Sequence, residues 1–199
     1  MIRPGSRRRP FTPTDGLILA AGLGLAGWAV SRIDPFFLQM TRAYRSVSPP
    51  WPGMPAWALA LELPLRRVQA DLTAVLIPIS LAVGLATFRR RVGGPRRVAS
   101  SPGLAASAAA AGAVVVDLGV HVLLPWWQAG TLPHPLFWTN LMESFRLDVT
   151  APLGAVWAYQ VVGRLWHPRD DWRDWLGRWL GASWLLAVAI DLACLATWG

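Results

Sequence analysis

Residues 103–126 read GLAASAAAAGAVVVDLGVHVLLPW, and their only ionisable side chains are Asp117 and His121. A helix that crosses a bilayer needs about 20 mostly apolar residues. This run meets that length, and it is far too long and unbroken for a buried strand, which usually spans about 4–8 residues. A lipid-embedded backbone must satisfy its own hydrogen bonds, so the run is read as a spanning helix.

Similar runs lie on both sides of it. Upstream, residues 70–88 (ADLTAVLIPISLAVGLATF) stop at Arg89, Arg90 and Arg91, and residues 16–33 (GLILAAGLGLAGWAVSRI) follow Arg7, Arg8 and Arg9. Downstream, residues 149–166 carry Pro152, Gln160 and Arg164, and residues 176–198 close the chain. The fold class is therefore an all-α polytopic membrane helix bundle with five spans, or four if 149–166 only dips into the bilayer. Residues 1–15 read as a basic cytoplasmic N-terminal segment, and residues 16–199 as one transmembrane domain. The first run is read as a retained span. Ala29-Val30-Ser31 followed by Arg32 is a poor cleavage site for a secretory leader. The spans show no convincing internal repeat, so an inverted-repeat transporter is not indicated.

Composition agrees with this reading. The 199 residues are 54% hydrophobic and 15% charged, with mean hydropathy +0.37. A soluble domain is usually less apolar and about 25% charged, so an ordinary soluble enzyme and a disordered chain are both excluded. The single cysteine, Cys194, excludes an intrachain disulfide and a cysteine-based metal cluster.

The net charge is +8, and all 19 basic residues are arginine. The arginines gather at the ends of apolar runs. That distribution marks membrane topology and points away from nucleic acid as a partner. With the N-terminus inside, 13 arginines fall on the inner side and 6 on the outer. The chain is thus expected in the inner (cytoplasmic) membrane, with its N-terminus cytoplasmic and its C-terminus outside. Arg89, Arg90, Arg91, Arg96 and Arg97 are expected to face anionic lipid headgroups. Trp172, Trp175 and Trp179, three of 13 tryptophans, form an expected interfacial stripe on a surface helix leading into span five.

The connections suggest further short interfacial helices. Asp34-Pro35 resembles an N-cap followed by proline at the first helical position, with Phe36, Phe37, Met40 and Tyr44 recurring behind it. Residues 56–63 are apolar but too short to span, and Pro64 is expected to start the helix entering span two. Residues 135–147 have helical periodicity through Phe137, Leu141 and Phe145.

Ionisable groups inside a bilayer are costly and point to function. Asp117 and His121 are spaced i, i+4 and share a helix face. Asp191 lies near the middle of span five, and Asp148 begins span four from the same side. His134, Asn140 and Glu143 precede it. These residues make a candidate polar cluster of Asp117, His121, Asp148 and Asp191, with His134, Asn140 and Glu143 as secondary members. Carboxylates with imidazole could relay protons or hold a divalent metal such as zinc. A buried hydrogen-bonded network that fixes helix register, with Arg146 or Arg32 as counter-charge, is the alternative. No HExxH motif, phosphate-binding glycine loop or Gly-x-Ser-x-Gly elbow is present, so no catalytic residue is assigned and no cofactor is expected beyond such a metal.

Gly177 and Gly181 form a GxxxG pair suited to close helix packing, either within the chain or in a homo-oligomer. Three roles follow. The first is a small accessory or scaffold subunit of a membrane assembly, working through helix packing, lipid contact and a membrane-protein partner. The second is a transporter or proton-coupled permeation element that uses the Asp/His cluster. The third is a metal-dependent membrane enzyme.

Overall fold

The computed structural model describes residues 10–47, 56–89, 98–124, 135–168 and 171–198, with side chains outside the description at 33–47, 56–63, 66, 135–144, 191 and 194–198. The described residues form five helices and no strand: α1 (Pro13–Val47), α2 (Ala56–Phe88), α3 (Pro102–Leu118), α4 (Pro135–Val162) and α5 (Trp172–Trp198). A π-turn, Gly119–Leu123, extends α3.

Three stretches are long and apolar enough to cross a membrane. They are Pro13–Arg32, Arg67–Phe88 and Pro102–Leu123, with mean hydropathy 1.3, 1.8 and 1.8. They lie within a few residues of the first three expected spans.

The connections depart from the sequence reading, which divided continuous helices. Asp34-Pro35 does not begin a new helix, because α1 runs through it for 35 residues. Pro64 does not start one either, and α2 continues through both Pro64 and Pro78. The expected helix at 135–147 and the fourth span form one element, α4. The surface helix expected to lead into the fifth span is continuous with it in α5, which starts at Trp172. A proline removes one helical hydrogen bond, whereas a break in the helix leaves several backbone groups at each new end without a helical partner.

The fourth segment also ends earlier than expected. Leu165 N–H donates to Gln160 O at 2.8 Å and Arg164 N–H to Val161 O at 3.2 Å, closing a Schellman turn. Its left-handed position is held by Arg164, with φ 53°, where glycine is the usual occupant.

Helix α3 is central and packs on α2, α4 and α5, while α1 lies mainly along α2. Ala106, Ala110 and Val114 of α3 meet Phe145, Val149 and Leu153 of α4 and Trp184 of α5 in one core. Fully buried Trp184 keeps its indole N–H satisfied by donating to Ser80 Oγ of α2 at 3.0 Å.

Helices α3 and α5 approach each other closely. A Cβ on Gly103 would fall on the Asp174 backbone carbonyl, and one on Gly177 on the Gly103 carbonyl. The Gly177/Gly181 pair therefore packs within the chain. Gly181 abuts Trp157 and Ala106.

Polar clamps fix the α3 N-terminus. Asp174 of α5 is fully buried and accepts from Ser101 Oγ and from Gly103 N, the latter at 2.7 Å. Its other oxygen lies 3.3 Å from Arg178 Nε. A carboxylate at a helix N-terminus satisfies free N–H groups and complements the helix dipole. On the α4 side, Trp157 Nε1 donates to Pro102 O at 3.0 Å and Gln160 Nε2 to Ala99 O at 2.8 Å.

Beside this clamp, Thr12 and Asp15 form a reciprocal cap on α1: Thr12 N–H donates to Asp15 Oδ2 at 3.0 Å and Asp15 N–H to Thr12 Oγ1 at 3.4 Å. Arg89 at the end of α2 closes on the same Asp15 at 3.3 Å. One end of the bundle is thus pinned by hydrogen bonds and ion pairs. The candidate site lies at the other end of α3.

Candidate cation site between α3 and α4

The antiparallel pairing of α3 and α4 follows from their contacts. The start of α3 meets the end of α4, so the end of α3 meets the first half of α4. This register brings Asp117 and His121 opposite Asp148. One ligand-capable atom from each residue lies within 4.8 Å of the other two. His121 Nε2 stands 3.2 Å from Asp117 Oδ1.

The three side chains differ in exposure. Asp117 is 5% exposed and His121 41%, while Asp148 is open to the surroundings. The cleft they share has a volume of about 410 Å³, and Ala109, Ala113 and Pro152 line it together with Val116 and Val120. Alanines on the α3 face leave the space that larger side chains would fill. Val116 and Val120 are largely exposed, so the cleft opens on the side of the bundle.

Local sequence shapes the site in two ways. The π-turn begins two residues after Asp117, contains His121 and is closed by Leu124 N–H donating to Gly119 O. Such wide turns are rare, and they concentrate at functional sites. On α4, Pro152 stands four residues after Asp148. Its ring supplies no N–H, so the Asp148 carbonyl has no helical donor.

Asp117 Oδ2 is buried, and while the neighbouring Asp148 is ionised it has no hydrogen-bond donor among the described residues. A buried acceptor left unpaired costs about 1–3 kcal/mol, and more when charged. Two carboxylates this close repel in a low-dielectric setting unless a cation sits among them.

Three of the four members expected from sequence thus converge. The side chain of Asp191 lies outside the described residues, as do those of Asn140 and Glu143 and the whole of His134. The Arg32 guanidinium lies over the Trp28 ring at 5.7 Å. Arg146 is buried on α4.

Sequence reading had no signal for the π-turn. It could have found the Pro152 effect, because a proline four residues beyond an aspartate is visible in the chain.

The residues expected at the lipid interface divide. Trp175 and Trp179 are more than half exposed and meet edge to face at 5.8 Å. Trp172 instead packs edge to face on Phe11 at 5.1 Å, and Arg89 turns onto Asp15 and Thr12. Arg90, Arg91, Arg96 and Arg97 lie outside the described residues.

No family model, curated protein or solved structure matches this chain. The functional reading therefore rests on the site itself.

Proposed function

We propose that this chain is a multi-span membrane protein that binds a cation in the α3–α4 cleft through Asp117, His121 and Asp148, as an ion- or proton-handling element. The observation that carries this reading is the Asp117 carboxylate, buried without a donor for Oδ2 and held beside a second carboxylate and an imidazole. A register-fixing network would have its buried acceptors satisfied.

The reading includes five spans. Helices α4 and α5 have 28 and 27 residues, about 42 and 40 Å at 1.5 Å per residue, enough for a hydrocarbon core of about 30 Å. The arginine split supports a cytoplasmic N-terminus in an inner membrane, which puts the cleft near the outer face. The buried hydroxyls of Thr73 and Ser80 on α2 bond back to their own helix carbonyls.

A stability measurement tests this. Asp117→Asn is expected to raise the melting temperature of the cation-free protein by about 2–4 °C, because it removes a buried carboxylate charge beside a second carboxylate. The same change is expected to abolish any cation-dependent stabilisation. A register-fixing role predicts the opposite, a lower melting temperature with or without cations.

The accessory-subunit reading has its own support on α1. Gly24 and Gly27 have open space beside them, and Leu23, Leu25 and Trp28 are exposed. This face suits a neighbouring helix. Complex formation in native detergent extracts, lost on replacing Gly24 and Gly27 with leucine, would support it.

A further inference from the structure

We propose that the cation is a first-row divalent transition metal of the zinc class, bound by Asp117, His121 and Asp148 with at least one coordination position open to the cleft. This rests on the cation-binding reading above and narrows it to a metal class. Charge balance is the first argument. Two carboxylates and a neutral imidazole carry −2, which one dication cancels, whereas one proton or one monovalent ion leaves −1.

Donor chemistry is the second argument. One imidazole nitrogen with carboxylate oxygens suits zinc, cobalt or manganese. Copper(I) prefers sulfur, and magnesium and calcium prefer all-oxygen shells. Geometry is the third. Two ligands at i, i+4 on one helix with a third from the facing helix is a common way to build a metal site in a bundle. Bonds of about 2.0 Å at tetrahedral angles place ligand atoms about 3.3 Å apart. The Asp117–His121 edge already stands at 3.2 Å. The widest separation, within 4.8 Å, can close by rotation of the exposed Asp148 side chain.

The unpartnered Asp117 Oδ2 supplies the independent sign of a missing ligand. With three protein ligands, the remaining position faces a cleft of about 410 Å³, as in zinc sites that retain an exchangeable water.

The test uses the full chain, purified in detergent without a histidine tag and stripped with chelator. It is titrated with Co²⁺, followed by visible absorption, and then competed with Zn²⁺. The expected result is one metal per chain, with affinity reduced at least about 100-fold in Asp148→Asn and His121→Ala. Asp148 and His121 are both substantially exposed, so these variants are expected to fold, and a melting curve checks it. Absence of stoichiometric binding to the native chain overturns the metal proposal, as does binding unchanged in both variants. If metal binding is absent but Asp117→Asn stabilises the empty protein, the metal assignment falls and the broader cation reading stands. If Asp117→Asn destabilises it as well, both fall.

Discussion

Replacing Gly177 with alanine is expected to destabilise the bundle by about 3 kcal/mol, and replacing it with leucine to prevent folding. An alanine Cβ there falls on the backbone carbonyl of Gly103 and meets Ser107 Oγ at 2.5 Å. Backbone cannot rotate away as a flexible side chain can, so α3 and α5 would have to separate. That separation would also pull Asp174 from the α3 N-terminus and loosen the core around Trp184. Gly154 on α4 is the control, because nothing lies within 4 Å of its Cβ position. Gly154→Ala is expected to be neutral or to stabilise by up to about 1 kcal/mol, since alanine favours helix. Thermal melting of both variants in one detergent gives the comparison. Equal melting temperatures would refute the close α3–α5 packing.

The second large effect is at Asp174. Its carboxylate is fully buried, caps α3 through Gly103 N–H and Ser101 Oγ, and pairs with Arg178. Asp174→Ala removes every one of these interactions and leaves a buried amide without an acceptor. The expected loss is about 3 kcal/mol, a fall in melting temperature of roughly 6–12 °C. Asp174→Asn retains an acceptor for the cap while losing the charge that pairs with Arg178, so about half the loss is expected. If the alanine variant melts with the native protein, the clamp is not holding the α3 end.

These two features differ in how far the sequence revealed them. The Gly177/Gly181 spacing announced close packing, because small residues four apart allow helix approach whatever the partner. The Asp174 clamp was hidden. Its partner Gly103 is distant in sequence, and three aspartates in 170–174 look alike until the fold selects one. Local signals were nonetheless present: Ser101-Pro102 reads as an N-cap with proline at the first position, and Thr12 with Asp15 as a capping pair.

The first three spans were legible because hydropathy over a window of about 20 residues integrates a large free energy. Helix continuity through Pro35 and Pro64 was not. A proline costs a helix one hydrogen bond, and the local sequence does not reveal that the turns on either side belong to two long helices packed along each other, α1 on α2. The meeting of Asp117 and His121 followed from their spacing along one helix. Their meeting with Asp148 depended on the α3–α4 register, which is set by contacts at the far end of both helices.

The convergence of α3 and α4 at the cleft is the claim on which the functional account depends. It is tested most directly by cross-linking in native membranes. In a Cys194→Ser background, His121→Cys and Asp148→Cys are introduced together, and a mercuric ion is used to bridge the thiols. The account predicts efficient bridging of this pair and none when Asp148→Cys is replaced by Tyr159→Cys, near the C-terminal end of α4. Failure of the 121–148 pair to bridge, with both thiols reactive towards a small maleimide, would contradict it.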